Sequence, residues 1–130
     1  MALIIKVSNK SSDKLTAIVK AKELMQYTLT VTSNKKRYPS KYMSLIRRIQ
    51  EVCMDIYEFL MEANRTSLNE MDVRNMLQTR AITACDKLSC YAEISLNLSL
   101  IGTDTADFWE GKIGDVKYMT IAWRSKDKER

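Results

Sequence analysis

Apolar side chains recur at spacings of three and four through most of this chain, and almost nothing in it would interrupt a helix: its 130 residues include three Gly and one Pro. All-β barrels and sandwiches need a turn about every 8–12 residues, and so few turn formers disfavour them. Helices are the natural alternative. A chain of this length fits one domain and buries roughly two thirds of its unfolded surface, enough to fold without disulfides or metals.

The spacing predicts four helices. Ser12 reads as the N-cap of a first helix over about residues 13–34, with Leu15, Ile18, Val19, Lys22, Met25, Leu29 and Thr32 on one side. Pro39 disfavours the α conformation at Tyr38 and so ends that helix, and Ser40 can cap the next. The second runs from about Ser40 to Asn64 with a seam of Tyr42, Leu45, Ile46, Ile49, Cys53, Ile56 and Leu60. Asn69 with Asp72 resembles a capping box opening the third, which turns Val73, Leu77, Ala81, Ala84, Leu88, Tyr91, Ser95 and Leu98 inward and ends at Gly102. Thr103 caps the fourth, whose seam is Thr105, Trp109, Ile113, Val116, Thr120 and Trp123.

Long amphipathic segments joined by short loops pack as antiparallel neighbours. The expected fold is therefore all-α, an antiparallel up-down four-helix bundle with crossing angles of about 20°. Its limits are a flexible arm over 1–12, the bundle over 13–124 and a charged tail over 125–130.

Several chemistries are excluded by composition. The chain has no His, which removes HExxH zinc sites, Ser-His-Asp and Cys-His hydrolysis, and the Glu-x-x-His di-iron centre found in other bundles. Gly stands only at 102, 111 and 114, so no phosphate-binding glycine loop can form. Cys53, Cys85 and Cys90 have no CxxC spacing and read as buried thiols of a reducing cytosol. No run approaches about 18 apolar residues, and the expected location is cytoplasmic. Glu51, Asp55, Glu58 and Glu62 step along one side of the second helix. They read as a solvated stripe, paired with Arg74, Arg80 or Lys87, rather than as metal ligands.

Charge gives the strongest functional clue. Between Leu24 and Gln50 stand six cations, Lys35, Lys36, Arg37, Lys41, Arg47 and Arg48, and no acid. A one-signed run either faces solvent or meets something anionic. The second helix carries its cations at the N-terminus and its acids toward the C-terminus, the reverse of what the helix dipole favours. Two uses fit: a basic end that grips a polyanion, or opposite ends that meet on adjacent subunits through Glu51, Asp55, Glu58 and Glu62. Tyr38 and Tyr42 lie among the cations and are candidates for stacking on unpaired bases, or else simply plug the bundle's end.

The strings Lys22-Glu23-Leu24-Met25-Gln26-Tyr27-Thr28, Val31-Thr32-Ser33-Asn34-Lys35-Lys36 and Tyr38-Pro39, with Arg48-Ile49-Gln50 and Glu62-Ala63-Asn64, resemble a bacterial and phage family of small four-helix-bundle proteins. So do Gln78-Thr79-Arg80-Ala81, Asp115-Val116-Lys117-Tyr118-Met119 and Ala122-Trp123. That family includes the accessory variability determinant (Avd) proteins of diversity-generating retroelements and relatives encoded in intervening sequences of ribosomal RNA genes. The resemblance spans about residues 13–125. It implies a homopentameric barrel without enzymatic activity or cofactor that binds RNA or DNA and partners a reverse transcriptase in mutagenic copying of an RNA template. This chain departs from the Avd pattern in its acidic stripe, its lower cationic charge and its N-terminal arm. The other branch of the resemblance implies an oligomeric protein–protein assembly module.

Overall fold

The computed structural model describes residues 12–129. Four helices carry the fold: α1 (Ser12–Thr32), α2 (Met43–Arg65), α3 (Met71–Asn97) and α4 (Thr103–Lys128). Short 3-10 turns, Ser40–Tyr42 and Leu68–Glu70, lead into α2 and α3. Each helix packs against its neighbours in a closed ring, α1 and α3 both lying between α2 and α4. The direction of packing is read from cross-links: Asp86 meets Lys117 and Thr79 meets Arg124 between α3 and α4, while Asp13 meets Lys126 and Thr28 meets Trp109 between α1 and α4. Later positions on one helix meet earlier ones on the other, so the neighbours are antiparallel. The architecture is the up-down four-helix bundle that the periodicity predicts.

The core follows the predicted seams closely on α2 and α4. Ile46, Ile49, Cys53, Ile56 and Leu60 are buried on one, and Trp109, Ile113, Val116, Thr120 and Trp123 on the other. On α1 the seam is rotated by about one residue position, roughly 100°. Ala17, Ala21, Leu24, Thr28 and Thr32 face inward, whereas Leu15 and Val19 are 48% and 56% exposed. One contact accounts for the inward place of Thr28: the indole N–H of the fully buried Trp109 donates to Thr28 Oγ1 at 2.9 Å. A buried indole without that acceptor would cost about 1–3 kcal/mol.

Local signals differ in detail. Ser12 already belongs to α1, and the rest of the expected arm, residues 1–11, lies outside the described residues. Ser67, not Asn69, caps the turn before α3, accepting from the Asn69 N–H at 3.1 Å. Helix α3 ends at Asn97 and Ser99 takes the left-handed conformation, φ 61°. Gly102 instead precedes α4 in an extended conformation, so Thr103 is the first helical residue rather than the cap.

The expected tail is helical as far as Lys128, and Asp127 is buried. Its carboxylate receives two nitrogens of Arg74, at 2.9–3.3 Å, and the Gln78 amide at 2.7 Å. Arg74 also donates to the carbonyls of Ala63 and Thr66 and lies over the Trp123 ring. Arg74 is thus not a partner of the acidic stripe on α2; it fastens the last turn of α4 to α3 and to the α2–α3 connection. Among the described residues, no helix is long and apolar enough to cross a membrane.

Candidate functional site

The up-down topology brings the α1–α2 connection and the α3–α4 connection to the same end of the bundle. Asn34 shapes the first of these. Its side-chain oxygen accepts from the Lys36 and Arg37 N–H groups, and its carbonyl accepts from those of Arg37 and Tyr38. Lys35, Lys36 and Arg37 are thereby displayed on a tight, exposed turn. The Arg37 guanidinium reaches across to Thr105 Oγ1 at 3.1 Å.

A depression of about 850 Å³ lies between the two connections, lined by Lys36, Arg37, Ser99, Thr103, Asp104 and Thr105 among others. Its far wall is the first turn of α4, a 26-residue helix with no side-chain cap. Unpaired N–H groups and the helix dipole there add positive potential to that of the two cations. Asp104 is the acid on this wall. Lys35, Lys36 and Arg37 have no ion-pair partner among the described residues.

The six predicted cations do not form one surface. Lys36 and Arg37 line the depression, and Lys35 is exposed on the same turn. Lys41 lies over the Tyr42 ring, 5.3 Å from its centroid. Arg47 is exposed on α2. Arg48 turns into a separate groove of about 330 Å³ between α2 and α3, shared with Asp55, Phe59, Arg80 and Lys87. The neighbouring Tyr91 hydroxyl, then Glu51 at 3.4 Å, push its pKa above the usual guanidinium value.

Of the two predicted stacking residues, Tyr38 is fully buried and closes the end of the core, so its ring cannot receive a base. Burial also raises its pKa. Tyr42 is half-buried against the core. The exposed aromatic surface near the turn belongs instead to Phe108, 54% exposed on α4, edge to face with Tyr27 of α1. Sequence reasoning missed this pair because Phe108 stands one position before the core residue Trp109, off the predicted seam, and its contact with Tyr27 of α1 is set by tertiary packing.

The acidic stripe divides. Glu51 is spent on Arg48, Asp55 faces the α2–α3 groove, and Glu58 and Glu62 are exposed without an ion pair among the described residues. Cys53 and Cys85 are buried, and burial pushes their thiols up to about 11 and about 12, whereas Cys90 is exposed, contrary to the expectation of three buried thiols. Compared with protein-family models, with curated proteins and with solved structures, the chain matches none of them.

Proposed function

We propose that this protein is a non-enzymatic nucleic-acid-binding accessory factor of the cytoplasm that assembles as a homo-oligomer, a pentamer by its resemblance to the Avd-like bundles. Its favoured partner is a retroelement reverse transcriptase engaged in copying an RNA template. The observation that carries the binding reading is the turn Lys35-Lys36-Arg37, exposed, without ion pairs among the described residues, and adjoining the open N-terminus of α4. Cations and unpaired helix N–H groups on one surface suit phosphate oxygens. The partner assignment rests on the sequence resemblance alone.

The test is fluorescence anisotropy with single-stranded RNA, single-stranded DNA and an RNA–DNA duplex at low salt, comparing wild type with Lys35→Glu/Lys36→Glu/Arg37→Glu. Submicromolar binding by wild type, lost in the triple variant, supports the reading. No binding by folded wild type overturns it.

A second reading, the oligomeric protein–protein assembly module, is favoured by Leu15 and Val19, one turn apart and exposed on the outer side of α1. Under it the charges serve subunit contacts. Sedimentation of Leu15→Glu/Val19→Glu tests it: a fall in mass with nucleic-acid binding absent in wild type supports assembly as the primary role.

A further inference from the structure

Phe108 is a large apolar ring exposed beside cations rather than within an apolar patch. Its centroid lies 5.1 Å from that of Tyr27 at an interplanar angle of 67°, an edge-to-face arrangement that holds Phe108 at a fixed attitude on the α1–α4 seam. The Lys112 ammonium, one turn along α4, lies over the Phe108 ring, 5.0 Å from its centroid, and over that of Tyr27 at 5.9 Å, so a base that stacks on that face of Phe108 displaces the ammonium to the edge of the ring. On the other side, Arg37 is tied to Thr105, three residues before Phe108. Arg37 is also near enough to Tyr27 to draw its hydroxyl's pKa down, against the larger upward push of burial. Asp107, the preceding residue, is exposed but points about 100° away around the helix, whereas the exposed Asp104, one turn before Phe108, is the acid on its side of α4.

We infer that Phe108, braced by Tyr27, is a stacking platform for an unpaired nucleobase, with Lys112 and Arg37 neutralising the phosphates on either side. The inference rests on the nucleic-acid-binding reading and adds to it the form of the ligand, a single strand. Aromatic rings interleaved with cations bind single strands because every base has a face to stack, whereas a duplex keeps its bases stacked on one another and offers only phosphates. The platform adjoins the basic turn, so a strand held there by Lys35, Lys36 and Arg37 passes within reach of the ring. A protein contact would instead favour a continuous apolar surface around Phe108; besides Tyr27, its neighbours along this side of α4 are charged, Lys112 one turn after it and Asp104 one turn before it, with Arg37 held nearby on Thr105.

The experiment uses a single-stranded RNA 12-mer carrying one 2-aminopurine, and an RNA–DNA duplex, with wild type, Phe108→Ala and Phe108→Tyr, their folding checked by circular dichroism. Phe108→Ala is expected to weaken single-strand binding roughly 5- to 150-fold. It also loses the fluorescence quenching that accompanies stacking and leaves duplex affinity unchanged, and Phe108→Tyr restores both. Equal single-strand affinity in Phe108→Ala and wild type overturns the platform, as does wild-type binding without quenching; in both cases the binding reading stands. A Phe108→Ala variant that keeps its RNA affinity but falls in sedimentation mass assigns the ring to a protein contact and likewise overturns it. Failure of wild type to bind either probe overturns the platform and the binding reading together.

Discussion

Arg74 and Asp127 form an ion pair at 2.9 Å with side chains only 6% and 1% exposed, joining α3 to the last turn of α4. Two ions so buried are tolerated because hydrogen bonds surround them: Gln78 donates to the carboxylate, and the guanidinium donates to the carbonyls of Ala63 and Thr66. The desolvation cost of such a pair is large, so its removal and its disruption have different consequences. Asp127→Ala strands Arg74 and is expected to cost about 3–5 kcal/mol in urea unfolding. Arg74→Met/Asp127→Leu, which removes both charges, is expected to recover most of that loss. A single variant as stable as wild type contradicts this reading of the C-terminal turn.

Thr28 and Trp109 supply a second test. The indole N–H has its acceptor in the Thr28 hydroxyl within the core, so Thr28→Val keeps the shape and removes the partner. The expected loss is about 1–3 kcal/mol, read from denaturant unfolding. Thr28→Ser keeps the hydroxyl and is expected to lose less than Thr28→Val.

The cysteines separate by burial. Cys90 is expected to react with a thiol reagent in the native protein, while Cys53 and Cys85 react only after unfolding. Their folded pKa values, about 11 and about 12, lie above the ordinary 9.0. Below about pH 8, well under the unfolded value, both thiols are protonated in folded and unfolded chains and contribute no pH dependence. As pH rises from there toward the folded values, the unfolded chain loses these protons first, so stability falls. The urea midpoint is expected to drop between pH 8.5 and 11, and to drop less in Cys53→Ala/Cys85→Ala. Equal drops would contradict the assignment of that pH dependence to the thiols.

The sequence made some features plain and others not, for physical reasons. Large apolar residues at regular spacing define the faces of α2 and α4, so Ile49, Ile56, Trp109 and Val116 were placed correctly by periodicity alone. On α1 the inward positions include Ala17, Ala21 and Thr28, and Thr28 is held there by its hydrogen bond with Trp109, a partner 81 residues away. Hydropathy ranks Leu15 and Val19 above them, and so it pointed to the wrong face. Asp127 was hidden in a charged run that reads as solvated, because only tertiary packing brings Arg74 to it. The basic turn was legible as a one-signed run. The up-down topology predicted from periodicity already puts the start of α4 at the same end, but the contact with Thr105 and the nearness to Phe108 were not legible, since they follow from the details of the two end loops.

The most direct test of the central claim is the salt dependence of single-stranded RNA binding by wild type and Lys36→Gln/Arg37→Gln. Each phosphate contact to a single strand releases counterions and contributes about 0.7 to the slope of log K against log salt. If Lys36 and Arg37 both touch phosphates, the variant's slope is shallower by about 1.4 per bound subunit, with weaker binding at every salt concentration. Equal slopes and affinities for the two proteins would contradict the account and move the contact away from this end of the bundle.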